Sequence, residues 1–355
     1  MTSRKKFIKQ VLKASASAVM IGIPSSRSME LIGRPEYRCF DLHTHPGVFF
    51  RRGTPVFAGD DEVVSRVKEM LSQGMSGGFF SLVSDLPLIK LTEKGVEITD
   101  KYEKGEGIAE YHRQLKQFLE LCKIAPIHLA TKSRELMQEK KGKITAYLAC
   151  EGGDHIEHTD QLEEMYADGV RLIQLVHYAP NDLGDLQTHA PIHQGLTDLG
   201  RSVVKKMNEL GILVDVAHAS AETVKAVAKT SSAPFILSHS LLNVGNDRPI
   251  SARTITGEHA RWVAESGGVI GAWPSGYNRS FEDFIDNIMR LIDIVGVDHV
   301  GLGTDMDSNF KPVMNRYSQL PEWTSALRAK GMSHDEVQKV AGGNAQRVIK
   351  AVLRN

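Results

Sequence analysis

The chain of 355 residues predicts an α/β fold: one (β/α)8 barrel, or TIM barrel, with a metal site at the C-terminal ends of its strands. Three observations point there. From residue 37 onward, eight short apolar runs alternate with amphipathic stretches. Most of the runs are rich in Val, Ile, Leu and Phe without polar alternation, the pattern of parallel strands covered on both faces. Six candidate metal ligands, His43, His45, Glu151, His218, His239 and Asp305, fall at the ends of those runs although the sequence scatters them widely. No GxGxxG follows a strand, which disfavours an open dinucleotide-binding sheet.

The elements follow in order. Strand candidates span residues 37–42, 78–83, 144–149, 170–176, 212–217, 234–237, 268–273 and 299–303. Helical patterns between them cover 60–71, 108–129, 162–167, 199–210, 222–228, 257–265 and 281–294. Gly169, Gly211 and Gly296 stand where a helix must end before a short loop. A last helix is expected over 333–353, opened by Ser333 and Glu336 as a capping box. Two polar stretches, 86–107 and 178–197, read as excursions at the active face. The barrel domain therefore takes residues 35–355.

Lys and Arg (43) balance Asp and Glu (43), so no net field favours nucleic acid or an anionic lipid surface. Cys39, Cys122 and Cys150 form no CxxC pair, and Cys39 and Cys150 read as buried, inert thiols. Residues 1–30 look like an address. Arg4, Lys5, Lys6, Lys9 and Lys13 precede a weakly apolar stretch, 14–23, too short to span a bilayer. The string resembles a twin-arginine export signal whose second arginine is a lysine, and so predicts a periplasmic enzyme. A basic tail on a cytoplasmic enzyme is the alternative.

The chemistry lies in the strand ends. His43 and His45 are two apart in an extended segment, so both can face one ion. Glu151 ends an apolar run, where a carboxylate is costly to bury unless paired or metal-bound. It could bridge two cations; a salt bridge to a barrel Lys or Arg is the plain alternative. His218 and His239 end successive strands, and Asp305 closes the last, as ligand, proton shuttle or both. Asp307 could cap the turn that follows. Imidazole and carboxylate ligands suit zinc, and two divalent ions can turn water into a nucleophile at neutral pH. The expected class is a hydrolase.

Several motifs resemble one family. They are Glu151-Gly-Gly-Asp, Gly169-Val-Arg-Leu-Ile-Gln-Leu-Val-His177, Gly195-Leu-Thr-Asp-Leu-Gly200, and Gly211-Ile-Leu-Val-Asp-Val-Ala-His218-Ala-Ser. Pro234-Phe-Ile-Leu-Ser-His239-Ser, Val300-Gly-Leu-Gly-Thr-Asp305-Met-Asp and the ending Gly342-Gly-Asn-Ala-Gln-Arg-Val complete the set. From residue 37 to the C-terminus the chain resembles the membrane (renal) dipeptidase family of zinc peptidases, within the amidohydrolase-like barrels. The resemblance implies that His43 holds one ion, His218 and His239 the other, and Glu151 bridges. It implies that His177 hydrogen-bonds the scissile carbonyl and developing oxyanion, and that Arg253, with Arg248 as fallback, binds the substrate carboxylate. Either arginine could instead be a surface salt-bridge partner. Where the family carries His-x-Asp this chain has His43-x-His45, which removes a negative charge and implies a less tightly held first ion. The family's aromatic substrate contact has no clear counterpart in residues 271–275.

The expected activity is dipeptide hydrolysis by hydroxide bridging two divalent ions, zinc above all, with Glu151, His177 and Asp305 as catalytic residues and Asp305 carrying the proton to the leaving amine. Amide, lactone or β-lactam hydrolysis uses the same chemistry. A metal-dependent nuclease of the same barrel type is the rival class, disfavoured by the absent basic surplus; a non-catalytic metal-binding protein is a third. The expected partner is a small-molecule dipeptide, with no nucleic acid and no transmembrane span. The family resemblance implies a homodimer.

Overall fold

The computed structural model describes residues 35–355 apart from 93, 94, 139, 246, 247 and 249. The export segment expected over residues 1–30 lies outside the described residues. Among the described residues there are eleven strands: β1 (Cys39–Thr44), β2 (Met75–Val83), β3 (Ile89–Thr92), β4 (Gly95–Ile98), β5 (Ile127–Ala130), β6 (Ile144–Glu151), β7 (Val170–Gln174), β8 (Leu213–Asp215), β9 (Leu237–Ser240), β10 (Ile270–Ala272) and β11 (Val300–Leu302).

Eight of them run in the order β8-β7-β6-β2-β1-β11-β10-β9, every pair parallel. An isolated bridge between Asp215 and Ile236 joins the two ends, so the sheet closes into the expected barrel. Val216 N donates to Ile236 O (2.8 Å) and Ile236 N to Val214 O (2.9 Å) across that closure. The strands are apolar because both faces are covered. Phe40, Leu42, Phe79, Tyr147, Leu172, Leu213, Ile236 and Val269 cluster together, and Val348, Ile349 and Val352 of the last helix join that cluster. A second, larger cluster lies between the strands and the surrounding helices. Gly271 and Gly303 permit the tightest packing: a Cβ on either would fall 1.7 or 1.8 Å from Ser238 O.

Some boundaries differ from the sequence reading. The helix expected over 108–129 is Glu106–Ile124, and its remainder is β5. Pro126 lacks an N–H and cannot extend the helix, so the chain turns and pairs with β6. The excursion over 86–107 contains a short turn, Leu86–Leu88, and an antiparallel hairpin of β3 and β4. The strand expected over 234–237 is displaced to Leu237–Ser240. A helix at Leu320–Ala329 was not expected. The last helix starts as anticipated, with Ser333 N donating to Glu336 Oε2 (2.7 Å) and Glu336 N to Ser333 Oγ (3.2 Å). It is interrupted by a wide turn, Lys339–Gly343, before Asn344–Val352. At Gly342 a Cβ would lie 2.5 Å from Arg38 O, so the wide turn and the glycine let this segment press against the chain entering β1.

Cys39 and Cys150 are buried; burial pushes the Cys39 thiol up to about 12 and raises that of Cys150 as well. Among the described residues no helix is long and apolar enough to cross a membrane.

Candidate metal centre and active site

Glu151, the last residue of β6, is the hub of the C-terminal rim and is only 3% exposed. His43 ends up inside β1 and His45 just beyond it, with their Nε2 atoms 3.0 Å apart. These atoms lie 3.3 Å from Glu151 Oε1 and 3.1 Å from Oε2 respectively. His218, past the end of β8, and His239, within β9, form a second pair with Nε2 atoms 3.1 Å apart. Their distances to Glu151 Oε1 are 3.5 and 3.7 Å. His218 takes a left-handed backbone (φ 65°), a strained state for a residue with a side chain and one that clusters at functional sites.

Two groups of donors therefore share one carboxylate: His43, His45, Glu151 and Glu151, His218, His239. The donor set fits divalent cations. Ligands about 2.0–2.1 Å from a tetrahedral zinc stand roughly 3.3 Å from one another, close to the spacings found here. The tautomers suit ligation too. His45 Nδ1 lies 2.9 Å from Ser81 O, which can only accept, so the Nε2 lone pair points inward. Burial pushes His218 and His239 well below the usual histidine range, which keeps them neutral, as ligands must be. Burial alone would raise Glu151, but His177 and His43 hold its carboxyl well below the usual range. Among the described residues its ion-pair partners are all histidines, and no barrel Lys or Arg takes their place.

Asp305 stands at the margin of the first group, Oδ1 lying 3.5 Å from His45 Nε2. Its amide donates to His43 O (2.9 Å), so β1 and the segment after β11 position each other. Burial, then the charge of Glu151, pushes its carboxyl up to about 8. Asp307 does not serve the turn after it: its Oδ2 accepts from Gly47 N (2.7 Å) and its carboxylate pairs with Arg66.

His177 follows β7, its Nε2 3.4 Å from Glu151 Oε1. Sequence reading missed its partner. Asp85, two residues past β2 and fully buried, faces His177 Nδ1 at 2.7 Å. The usable signal was a lone carboxylate just beyond a strand end, close to the place Glu151 takes as the last residue of its own strand. Arg253 is 2% exposed and stands beside His239, Nη2 to Nε2 3.2 Å. Its Nη1 donates to Gln187 Oε1 (2.5 Å), and the guanidinium lies 5.2 Å from the Trp273 ring. Trp273 is also 5.6 Å from the His239 ring, so residues 271–275 do set one aromatic side chain beside the site. Arg248 instead pairs with Asp283 (2.5 Å), as its salt-bridge alternative had it.

A closed parallel barrel carrying buried imidazoles around a shared carboxylate at its C-terminal rim defines a metal-dependent hydrolase of the barrel class. The family follows from comparison. The membrane dipeptidase family, peptidase family M19, matches residues 37–355, and the chain belongs to it: a metal-dependent dipeptidase by family. The dipeptidase aclJ of Aspergillus oryzae is 28% identical over 306 residues, covering 82% of this chain and 71% of that protein. The dipeptidase verJ of Clonostachys rogersoniana is 30% identical over 234 residues, 63% of this chain and 60% of that one. The barrel resembles the probable dipeptidase PvdM from Pseudomonas aeruginosa (TM-score 0.75, 19% identity, 89% of this chain and 96% of that one). It also resembles a metallo peptidase from Rhodobacter sphaeroides liganded with a phosphinate mimic of the dipeptide L-Ala-D-Ala (TM-score 0.73, 20% identity, 90% and 99%).

Proposed function

We propose that this chain hydrolyses the peptide bond of dipeptides at a site for two divalent ions, zinc foremost. One observation carries the reading: two pairs of buried imidazoles converge on the carboxylate of Glu151, His43, His218 and His239 at Oε1 and His45 at Oε2. His43 and His45 would hold one ion and His218 and His239 the other, with Glu151 shared between the two groups and Asp305 joining the first. Bound, such ions supply an activated water and polarise the scissile carbonyl.

The chain's own residues do the rest. His177 Nε2 donates to the carbonyl oxygen as negative charge develops there. Asp305, at the margin of the first group, carries the proton to the leaving amine. Arg253 receives the substrate's free carboxylate. A buried guanidinium whose Nε lacks any partner, and which has no carboxylate pair among the described residues, supports that assignment. The second imidazole of His43-x-His45 leaves the first group with less negative charge than a carboxylate there would, so its ion is held less tightly than such a carboxylate would hold it.

The balanced charge of the chain disfavours the nuclease alternative. The test is elemental analysis of freshly purified protein beside a dipeptide panel that includes D-residues at the second position, with single-stranded DNA as control. Two ions per chain and dipeptide turnover support the reading; DNA cleavage, or two ions without amide turnover, overturns it. The basic start at Arg4 to Lys13 supports export to the periplasm, which fractionation tests. The homodimer implied by the family is tested by light scattering.

A further inference from the structure

Arg253 is gripped by a neutral group. Gln187 Oε1 accepts from its Nη1 (2.5 Å), while Gln187 Nε2 donates to Thr254 O (3.0 Å). A guanidinium only donates and a backbone carbonyl only accepts, so the amide has one possible orientation. The Gln187 backbone is equally fixed: its N–H donates to His218 O (2.7 Å), and Leu186 pairs with Ala219. The loop that carries it is tied internally by Asp185. Its Oδ1 accepts from Ile192 N (2.7 Å) and His193 N (2.9 Å), and its Oδ2 from Gly195 N (2.7 Å). One loop residue thus joins the backbone beside a candidate ligand, His218, to the buried cation beside another, His239.

The chemical type of that residue matters more than its reach. A glutamate of the same shape would form a charge-assisted bridge with Arg253 and complete it internally. An amide orients the guanidinium and adds no charge of its own; Tyr178 also hydrogen-bonds it, and Glu151 and Asp305 favour its charge without a direct ion pair among the described residues. We propose that Gln187 is a specificity-determining positioning residue: it presents Arg253 without compensating its charge, so that the enzyme selects dipeptides ending in a free carboxylate over their C-terminal amides. The inference rests on Arg253 being the carboxylate-binding residue. A ligand lacking the negative charge leaves a buried cation unpaired, which is the kind of mismatch that discriminates strongly.

The experiment compares one good dipeptide with the same dipeptide amidated at its C-terminus, in the metal-loaded wild type and the variants Gln187→Glu, Gln187→Ala and Arg253→Met. The wild type is expected to favour the free acid by about 100-fold or more in kcat/KM. Gln187→Glu is expected to raise KM for the acid by about 30-fold with a smaller change in kcat, and to move the amide far less, so that selectivity falls at least tenfold. Gln187→Ala, which adds no charge, is expected to keep the preference while raising KM for the acid about fivefold. Metal content and Tm, read alongside, identify a variant that has merely unfolded. An unchanged acid-to-amide ratio in a folded Gln187→Glu protein overturns the proposal. So does an unchanged KM in Gln187→Ala if the charged variant does not fold. A wild type without acid preference, or an Arg253→Met protein that retains it, overturns the Arg253 assignment instead.

Discussion

Asp85 Oδ1 lies 2.7 Å from His177 Nδ1, and this contact decides which edge of the imidazole faces the site. The other carboxylate oxygen accepts from Tyr178 N (3.0 Å) and Ala179 N (2.8 Å), so Asp85 is held by the segment it orients. Burial alone would lower the proton affinity of His177; Asp85 and Glu151 outweigh it and raise the ring to about 9. The imidazole can then donate on both sides, to Asp85 and inward. An oxyanion donor is worth about 2.7–4 kcal/mol, so His177→Ala should slow turnover about 100- to 1000-fold. Asp85→Asn should lower kcat to roughly one tenth to one hundredth of its value with KM little altered, acting through His177. The double variant should be no slower than His177→Ala alone. Steady-state kinetics of the three proteins checks this, and additive losses would contradict it.

Removal of one imidazole from either pair should lower stoichiometry from two ions to one. His218→Ala and His43→Ala are each expected to bind a single ion, measured by elemental analysis after dialysis. Chelation of the wild type should also lower Tm, because ions that bind only the folded barrel stabilise it by mass action. A Tm indifferent to chelator and to added zinc would argue against the assigned centre.

His155 gives a pH-dependent stability independent of the centre. It is 1% exposed, stacks on Tyr111 with ring centroids 5.3 Å apart, and neither ring nitrogen has a partner. Burial, with a lesser contribution from His112, pushes it down to about 3. The folded ring therefore stays neutral where the unfolded one, near 6.5, takes up a proton. Acidification below about 6.5 draws the protein toward the unfolded state, and the loss is complete only near 3. His155→Phe should flatten that dependence and leave stability at pH 7 nearly unchanged. Neighbouring Asp154, raised to about 7 by burial and by Asp85, has the opposite sign, stabilising less as pH rises from about 3.8 to 7. The difference between wild type and variant isolates the histidine; denaturant melts from pH 4 to 7 that run parallel would refute it.

Gly271→Ala should be severely destabilising. Its new methyl would fall on Ser238 O in a strand contact with no free volume. Overpacking of this kind costs about 3 kcal/mol or more, and a Tm within a degree of wild type would show that the strands can part.

The barrel was legible because strands buried on both sides must be apolar, so runs such as 144–149 announced themselves. The candidate ligands were legible because imidazole and carboxylate are conspicuous at the ends of such runs. Short or polar elements were not. β5 has four residues and follows a strong helical pattern that ran on through it, with only Pro126 to mark the break. Asp85 drew no reading from the sequence, since its worth depends on His177, 92 positions away. Gln187 is uncharged and sits in a loop, so nothing local separates it from its neighbours. Arg253 was preferred to Arg248 by resemblance alone until packing gave Arg248 its partner Asp283 and set Arg253 on the buried rim.

The narrow seam at Asp215 and Ile236 has a dynamic consequence. The two strands it joins carry His218 and His239, so a cation shared by those rings would also act as a rivet across the join. Its arrival should slow amide hydrogen exchange at Val216 and Ile236 more than elsewhere in the wall, and its departure should let the cylinder unzip there first.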